Sequence, residues 1–188
     1  GGANGTLIVD IETYPNYFLI AFKDILTQKI ILFENSTKED SGKLAWVMNS
    51  YTTVGFNSLK FDIPLIWLAY SGATSEIIKK AAGDLINGIF PQQLQKEYNY
   101  KIHPTKHIDL IEVCPLTGSL KLYSARLHSP RIQELPFAHT EALTNEQIDI
   151  VRDYCINDLD NTHLLFNNLS EQLKLREQLS IQYKQDLM

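Results

Sequence analysis

Cysteine is scarce. The 188-residue chain has two, Cys114 and Cys155, widely separated and outside any Cys-x-x-Cys spacing. That excludes a zinc ribbon and a disulfide scaffold and makes a reducing, cytoplasmic setting the expectation. Long apolar runs are missing too. The most apolar stretch, residues 7–22, is broken by Asp10, Glu12, Pro15 and Asn16, so it is neither a membrane span nor the apolar core of a signal peptide, and no membrane partner is expected. Positive charge is in deficit: 17 Lys and Arg stand against 22 Asp and Glu, for a formal charge of −5. Affinity for nucleic acid must then come from a local basic patch or from bound cations, not from bulk charge. Glycine (9) and proline (7) are too few for a collagen-like or low-complexity chain.

What remains is ordinary for a globular protein, with 44% hydrophobic and 21% charged residues in a length suited to one domain. The opening Gly1-Gly2-Ala3-Asn4-Gly5 reads as a flexible leader or expression remnant, and the domain is expected over residues 6–188. Residues 184–188 carry no helix-stop signal, which suggests a domain cut from a longer polypeptide.

Residues 7–14 are rich in β-branched and aromatic side chains, Pro15 and Asn16 supply a turn, and residues 17–22 form a second run of the same kind. With a third run at 29–33, the chain should open as an antiparallel meander. The pattern then changes: residues 41–51 place Leu44, Trp46, Val47 and Met48 on one helical face, and 52–56 read as a short buried strand. Two helices are expected over 62–87, interrupted at Ser71 and Gly72, then a strand over 107–113 and a short helix between Ser119 and His128. From Thr144 or Asn145 as cap, a long helix runs almost to the end. The sum is an α/β fold: a ribonuclease H-like mixed sheet flanked by helices.

Three pieces carry acids that need explaining. Asp10 and Glu12 sit two apart on a buried strand, so both point to one face. Buried carboxylates are costly unless paired or metal-bound, and two together are costlier. Asp62 follows the short strand closely, at the strand-to-helix handover where α/β sheets place ligands, with Asn57 in the same loop. The plainer alternative is that Asn57 shapes a turn and Asp62 caps the helix containing Pro64. On the long helix Tyr154 and Asp158 are four apart and share a face, beside a stripe of Cys155, Leu159 and Thr162. Asp153 and Asp160 are angularly offset toward solvent. His103 and His107 are also four apart, but Pro104 between them disfavours a regular helix and a zinc pair, and His163 reads as a surface or packing residue.

Together these pieces resemble the three exonuclease motifs of the DEDD superfamily of 3′→5′ exonucleases: Asp10-Ile11-Glu12 the first, Asn57 through Phe61-Asp62 the second, and Tyr154 to Asp158 the third in its tyrosine-bearing form. Ile108-Asp109-Leu110, Ser119-Leu120-Lys121-Leu122-Tyr123 and Glu134-Leu135-Pro136 further resemble the proofreading domains of phage-type DNA polymerases. The resemblance implies a metal-dependent exonuclease hydrolysing single-stranded DNA 3′ ends, with a polymerase domain in the parent polypeptide and the host cytoplasm as location if phage-encoded. It implies two Mg²⁺, or Mn²⁺, held by Asp10, Glu12, Asp62 and Asp158, with Tyr154 orienting the nucleophilic water. Thr13, Tyr14, Asn57 and Phe61 are the candidate substrate contacts, and Lys60, Lys106, Lys121, Arg126 and Arg131 the candidate basic rim. The alternatives are a stand-alone exoribonuclease of the same chemistry and a non-catalytic nucleic-acid-binding module of the same fold.

Overall fold

The computed structural model describes residues 5–35, 38–113, 138 and 140–186. Three strands open it: β1 (Thr6–Tyr14), β2 (Tyr17–Asp24) and β3 (Ile30–Glu34), joined as an antiparallel meander. Helix α1 (Lys38–Ser50) leads to β4 (Thr52–Gly55), which lies parallel to β1 on its other side. Helices α2 (Asp62–Tyr70), α3 (Ser75–Ile86) and α4 (Pro91–Tyr98) then carry the chain to β5 (His107–Asp109), parallel to β4. The spatial order is β3-β2-β1-β4-β5, a five-stranded mixed sheet. Helix α5 (Asn145–Asp186) packs on β1 and β2. This is the expected α/β architecture, a ribonuclease H-like mixed sheet flanked by helices.

The strand alternation of β1 sorts the interior into two layers. Leu7, Val9 and Ile11 face one way, with Phe18, Ile20 and Phe22 of β2, against Leu44 and Val47 of α1, Leu65 and Ile66 of α2, and Ile78 and Ala82 of α3. Ile8 and Tyr14 face the other way, with Leu19 and Ala21 of β2, against Val151, Cys155 and Leu159 of α5. Helix α2 is apolar all round, and every residue from Asp62 to Ala69 is buried, as expected of a helix enclosed between neighbours.

Two boundaries differ from expectation. Helix α4 was not signalled by periodicity. Its mark is Pro91 at the first helical position, with the Gln93 side chain accepting the Phe90 amide at 3.1 Å. The strand expected over 107–113 stops at Asp109, because its carboxylate accepts the Ile111 amide at 3.2 Å and starts a 3-10 turn at Leu110–Glu112. At the long helix the cap is Thr144: its hydroxyl accepts the Gln147 amide, and the Gln147 side chain accepts the Thr144 amide, a capping box. The helix expected between Ser119 and His128, together with Cys114, Lys121, Arg126, Arg131 and the run Glu134-Leu135-Pro136, lies outside the described residues. Among the described residues no helix is long and apolar enough to cross a membrane.

Candidate functional site

Strands β1, β4 and β5 run parallel, and their carboxyl ends share one edge of the sheet, where α/β folds expose a crevice. Asp10 and Glu12 are brought together here with Cys155, whereas Asp62 and Asp158 are not part of that close group. Asp10 and Glu12 project from β1 toward α5 and are 2% and 3% exposed. Opposite them in the β1–β2 register stand Ala21 and Leu19. Helix α5 brings Cys155 against them, so that ligand atoms of Asp10, Glu12 and Cys155 all lie within 4.8 Å of one another. The Cys155 thiol donates to the Asp10 carboxylate at 3.6 Å, and the other Asp10 oxygen accepts the Ile11 amide at 2.9 Å. One turn beyond Cys155 on α5 is Asp158, also buried, while Tyr154 is half-buried against the same apolar layer.

Asp62 enters from the opposite side. Its carboxyl is buried. Burial pushes its pKa well above the usual carboxylate range and the charge of Asp109 adds to the rise, while the nearby backbone amides of Asp62 and Ile11 work against it. The influence of the Ile11 amide puts the Asp62 carboxyl near the β1 segment between Asp10 and Glu12. The capping alternative does not hold, since Phe61 occupies the N-cap position of α2 and Asp62 is the first helical residue.

The loop from β4 to α2 is delivered by a set of polar contacts the sequence reading did not assign. Asn57 adopts a left-handed backbone (φ 54°), a conformation Asn tolerates better than most residues. Its amide donates to one Asp109 oxygen at 2.8 Å, and the Leu59 amide donates to the other at 3.0 Å. His107 bridges Ser58 (2.6 Å at Nε2) and Thr53 (2.7 Å at Nδ1). Burial lowers the His107 pKa from 6.5 to about 4, so the ring is neutral at pH 7. Gly55 lets the chain turn back on itself: a Cβ there would stand 2.6 Å from Ser58. The signal that could have found Asp109 and His107 is positional, since both lie on a strand parallel to β4 and beside the loop that bears Asp62.

The other sequence candidates fall as follows. Thr13 is buried, and its carbonyl accepts a hydrogen bond from Lys79 at 3.4 Å. Tyr14 is fully enclosed in the α5-side layer, where burial and the neighbouring Glu12 push its phenol pKa up, so its ring is not presented for stacking. Phe61 is half-buried and packs on the α1–α3 side. Asp153 and Asp160 are exposed as expected, and Asp160 pairs with Lys23 at 2.8 Å. His163 is half-buried beside that pair, its pKa lowered by burial and by Lys23, with Asp160 opposing. His103 stacks on Trp67, 4.4 Å between ring centroids, apart from His107 and its hydroxyl partners. Of the candidate basic rim, Lys60 and Lys106 are exposed.

Carboxylate oxygens form the donor set Mg²⁺ and Mn²⁺ prefer, and the Asp10–Glu12 pair offers two on one face, already desolvated, so these residues fit such an ion. The Cys155 thiol is not a ligand a hard cation takes up. It stands instead as a hydrogen-bond donor that orients Asp10. Comparison of the chain with protein-family models, with curated proteins and with solved structures returns no match.

Proposed function

We propose that the chain is a divalent-metal-dependent 3′→5′ exonuclease that hydrolyses single-stranded DNA ends, the proofreading unit of a DNA polymerase. The observation that carries this reading is the meeting of Asp10 and Glu12 with Cys155 of α5, while the buried Asp62 carboxyl feels the Ile11 amide between them. A sheet needs no such arrangement for stability, because buried like charges without a cation are unfavourable.

In this reading Asp10, Glu12, Asp62 and Asp158 hold the ions. Bound Mg²⁺ or Mn²⁺ would supply charge stabilisation for a pentavalent phosphorus and lower the pKa of water, the two demands of phosphodiester hydrolysis. The chain's residues do the rest. The Asp109 and His107 contacts fix the 57–59 loop and so the approach of Asp62. The Cys155 thiol orients the Asp10 carboxylate. Tyr154, one turn before Asp158, orients the attacking water by a hydrogen bond.

A 5′-labelled single-stranded DNA incubated with Mg²⁺, Mn²⁺ or chelator, beside an Asp10→Ala/Glu12→Ala control, tests the reading. Shortening by one nucleotide at a time from the 3′ end, dependent on metal and absent in the control, is expected. An oligonucleotide that stays intact under every condition defeats it, and faster trimming of a matched RNA would move the assignment to an exoribonuclease.

A further inference from the structure

Lys79 is the cation that the acidic composition asks for and that the sequence reading did not name. It lies on α3, four residues after Ser75, and the two share a helix face. Both reach the carboxyl end of β1: the Ser75 hydroxyl donates to the Pro15 carbonyl at 3.2 Å, and the Lys79 ammonium donates to the Thr13 carbonyl at 3.4 Å. Two anchors one turn apart thus fix the α3 face against the rim of the crevice. The ammonium stands one residue beyond Glu12, close enough that the Glu12 charge acts on it, yet no carboxylate lies within ion-pair distance of it among the described residues.

An ammonium carries three donors. One goes to Thr13, which leaves two for solvent or a ligand. The side chain is half-buried, so its charge is less screened than that of an exposed lysine and acts more strongly on an anion arriving at the same edge. A purely structural tie to a carbonyl needs no charge there; a neutral amide or hydroxyl would make the same bond.

We propose that Lys79 binds a backbone phosphate of the single strand whose 3′ end enters the carboxylate cluster. The inference rests on the nuclease reading and adds to it one positioning residue on the substrate side: the cation guides the phosphodiester past a negatively charged pocket and holds it in register.

The test measures binding of a fluorescent single-stranded DNA to the whole chain by anisotropy, with Ca²⁺ in place of Mg²⁺, between about 50 and 200 mM salt. Lys79→Gln, which keeps a donor for the Thr13 carbonyl and removes the charge, is expected to weaken binding several-fold at low salt and to reduce the log–log salt slope by about 0.7, the value of one phosphate on a single strand. Lys79→Arg should restore the slope. A Lys79→Gln protein with the wild-type slope overturns the proposal, whatever its melting temperature, because a residue that only ties α3 to β1 would alter stability and leave the counterion count alone. Should Lys79→Gln fail to fold, Lys79→Met with the same slope measurement takes its place. Wild-type protein that binds no strand at any salt overturns the nuclease reading itself, a result distinct from a wild-type slope in the variant.

Discussion

The two faces of β1 are equally buried, yet acids stand on one and not on the other. Val9 and Ile11 toward the α1–α3 side are each 2% exposed, and Asp10 and Glu12 toward α5 are 2% and 3%. Burial therefore does not separate them; what each face meets does. The first meets Leu, Val, Ile and Ala side chains from three helices and is held by apolar packing. The second meets the Cys155 thiol within an apolar layer that includes Val151 and Leu159, and polar clasps close its margin: Asn16 with Leu143, Arg152 with Glu34, and Lys23 with Asp160. One layer is built for stability, and the other accepts a cost in stability to keep charges together.

The sharpest break of this comparison is Asp10→Ala. Its metal-dependent rate should fall by at least about a hundredfold, the upper end of the cost of losing even an outer partner of a bound metal. In chelator its midpoint of thermal unfolding should equal or exceed that of wild type, since a buried charge has been removed. A large drop in that midpoint would show Asp10 to be structural and erase the distinction. The mirror experiment is Leu7→Ala on the packed face. It should cost about 2–5 kcal/mol in urea unfolding, as for other buried leucines truncated to alanine, and leave the rate per folded molecule as it was.

That contrast also marks how far the sequence could be read. The meander, the crossover to β4, α2, α3 and the long α5 follow from local periodicity and turn residues, because each signal lies within a dozen neighbouring positions. Asp10 and Glu12 were legible for the same reason: two acids two apart in an apolar strand conflict locally with their surroundings. The contacts of Asp109 and Lys79 were not. Asp109 acts on Asn57 and Leu59, some fifty residues away in sequence, and Lys79 on Thr13, sixty-six away. Both depend on strand order and helix placement that no local window contains. Tyr14 shows the reverse: a candidate substrate contact beside the first acids, it is enclosed by the long-range packing of α5.

A smaller effect separates the loop that carries Asp62 from both faces. His107 has its pKa lowered from 6.5 to about 4, first by burial, with Asp109 opposing. The unfolded chain therefore takes up this proton below pH 6.5 while the folded one resists until about pH 4. Stability from this residue is complete above 6.5 and is lost as pH falls through that window. At about 1.4 kcal/mol per unit the loss is at most about 3.5 kcal/mol. His107→Gln should flatten the wild-type decline across that range in urea unfolding followed at several pH values; parallel curves for the two proteins would show that the ring is not held neutral between Ser58 and Thr53.

The smallest effect tests the clasps on the α5 side. Asn16, in the β1–β2 turn, donates through its side chain to the Leu143 carbonyl at 2.9 Å and accepts the Leu143 amide at 2.8 Å, closing 127 residues of chain just before α5 begins. Each such bond is worth about 1 kcal/mol net, so Asn16→Ala should destabilise by about 1–2 kcal/mol, less than Leu7→Ala. Its consequence should also differ in kind. Helix α5 carries Cys155 and Asp158, and loosening its entry should weaken Mn²⁺ binding, followed by the paramagnetic effect on water relaxation, whereas Leu7→Ala at equal folded fraction should not. If both variants lose stability and neither moves the Mn²⁺ affinity, the polar margin is no more than packing in another form, and the two faces differ only at the acids themselves.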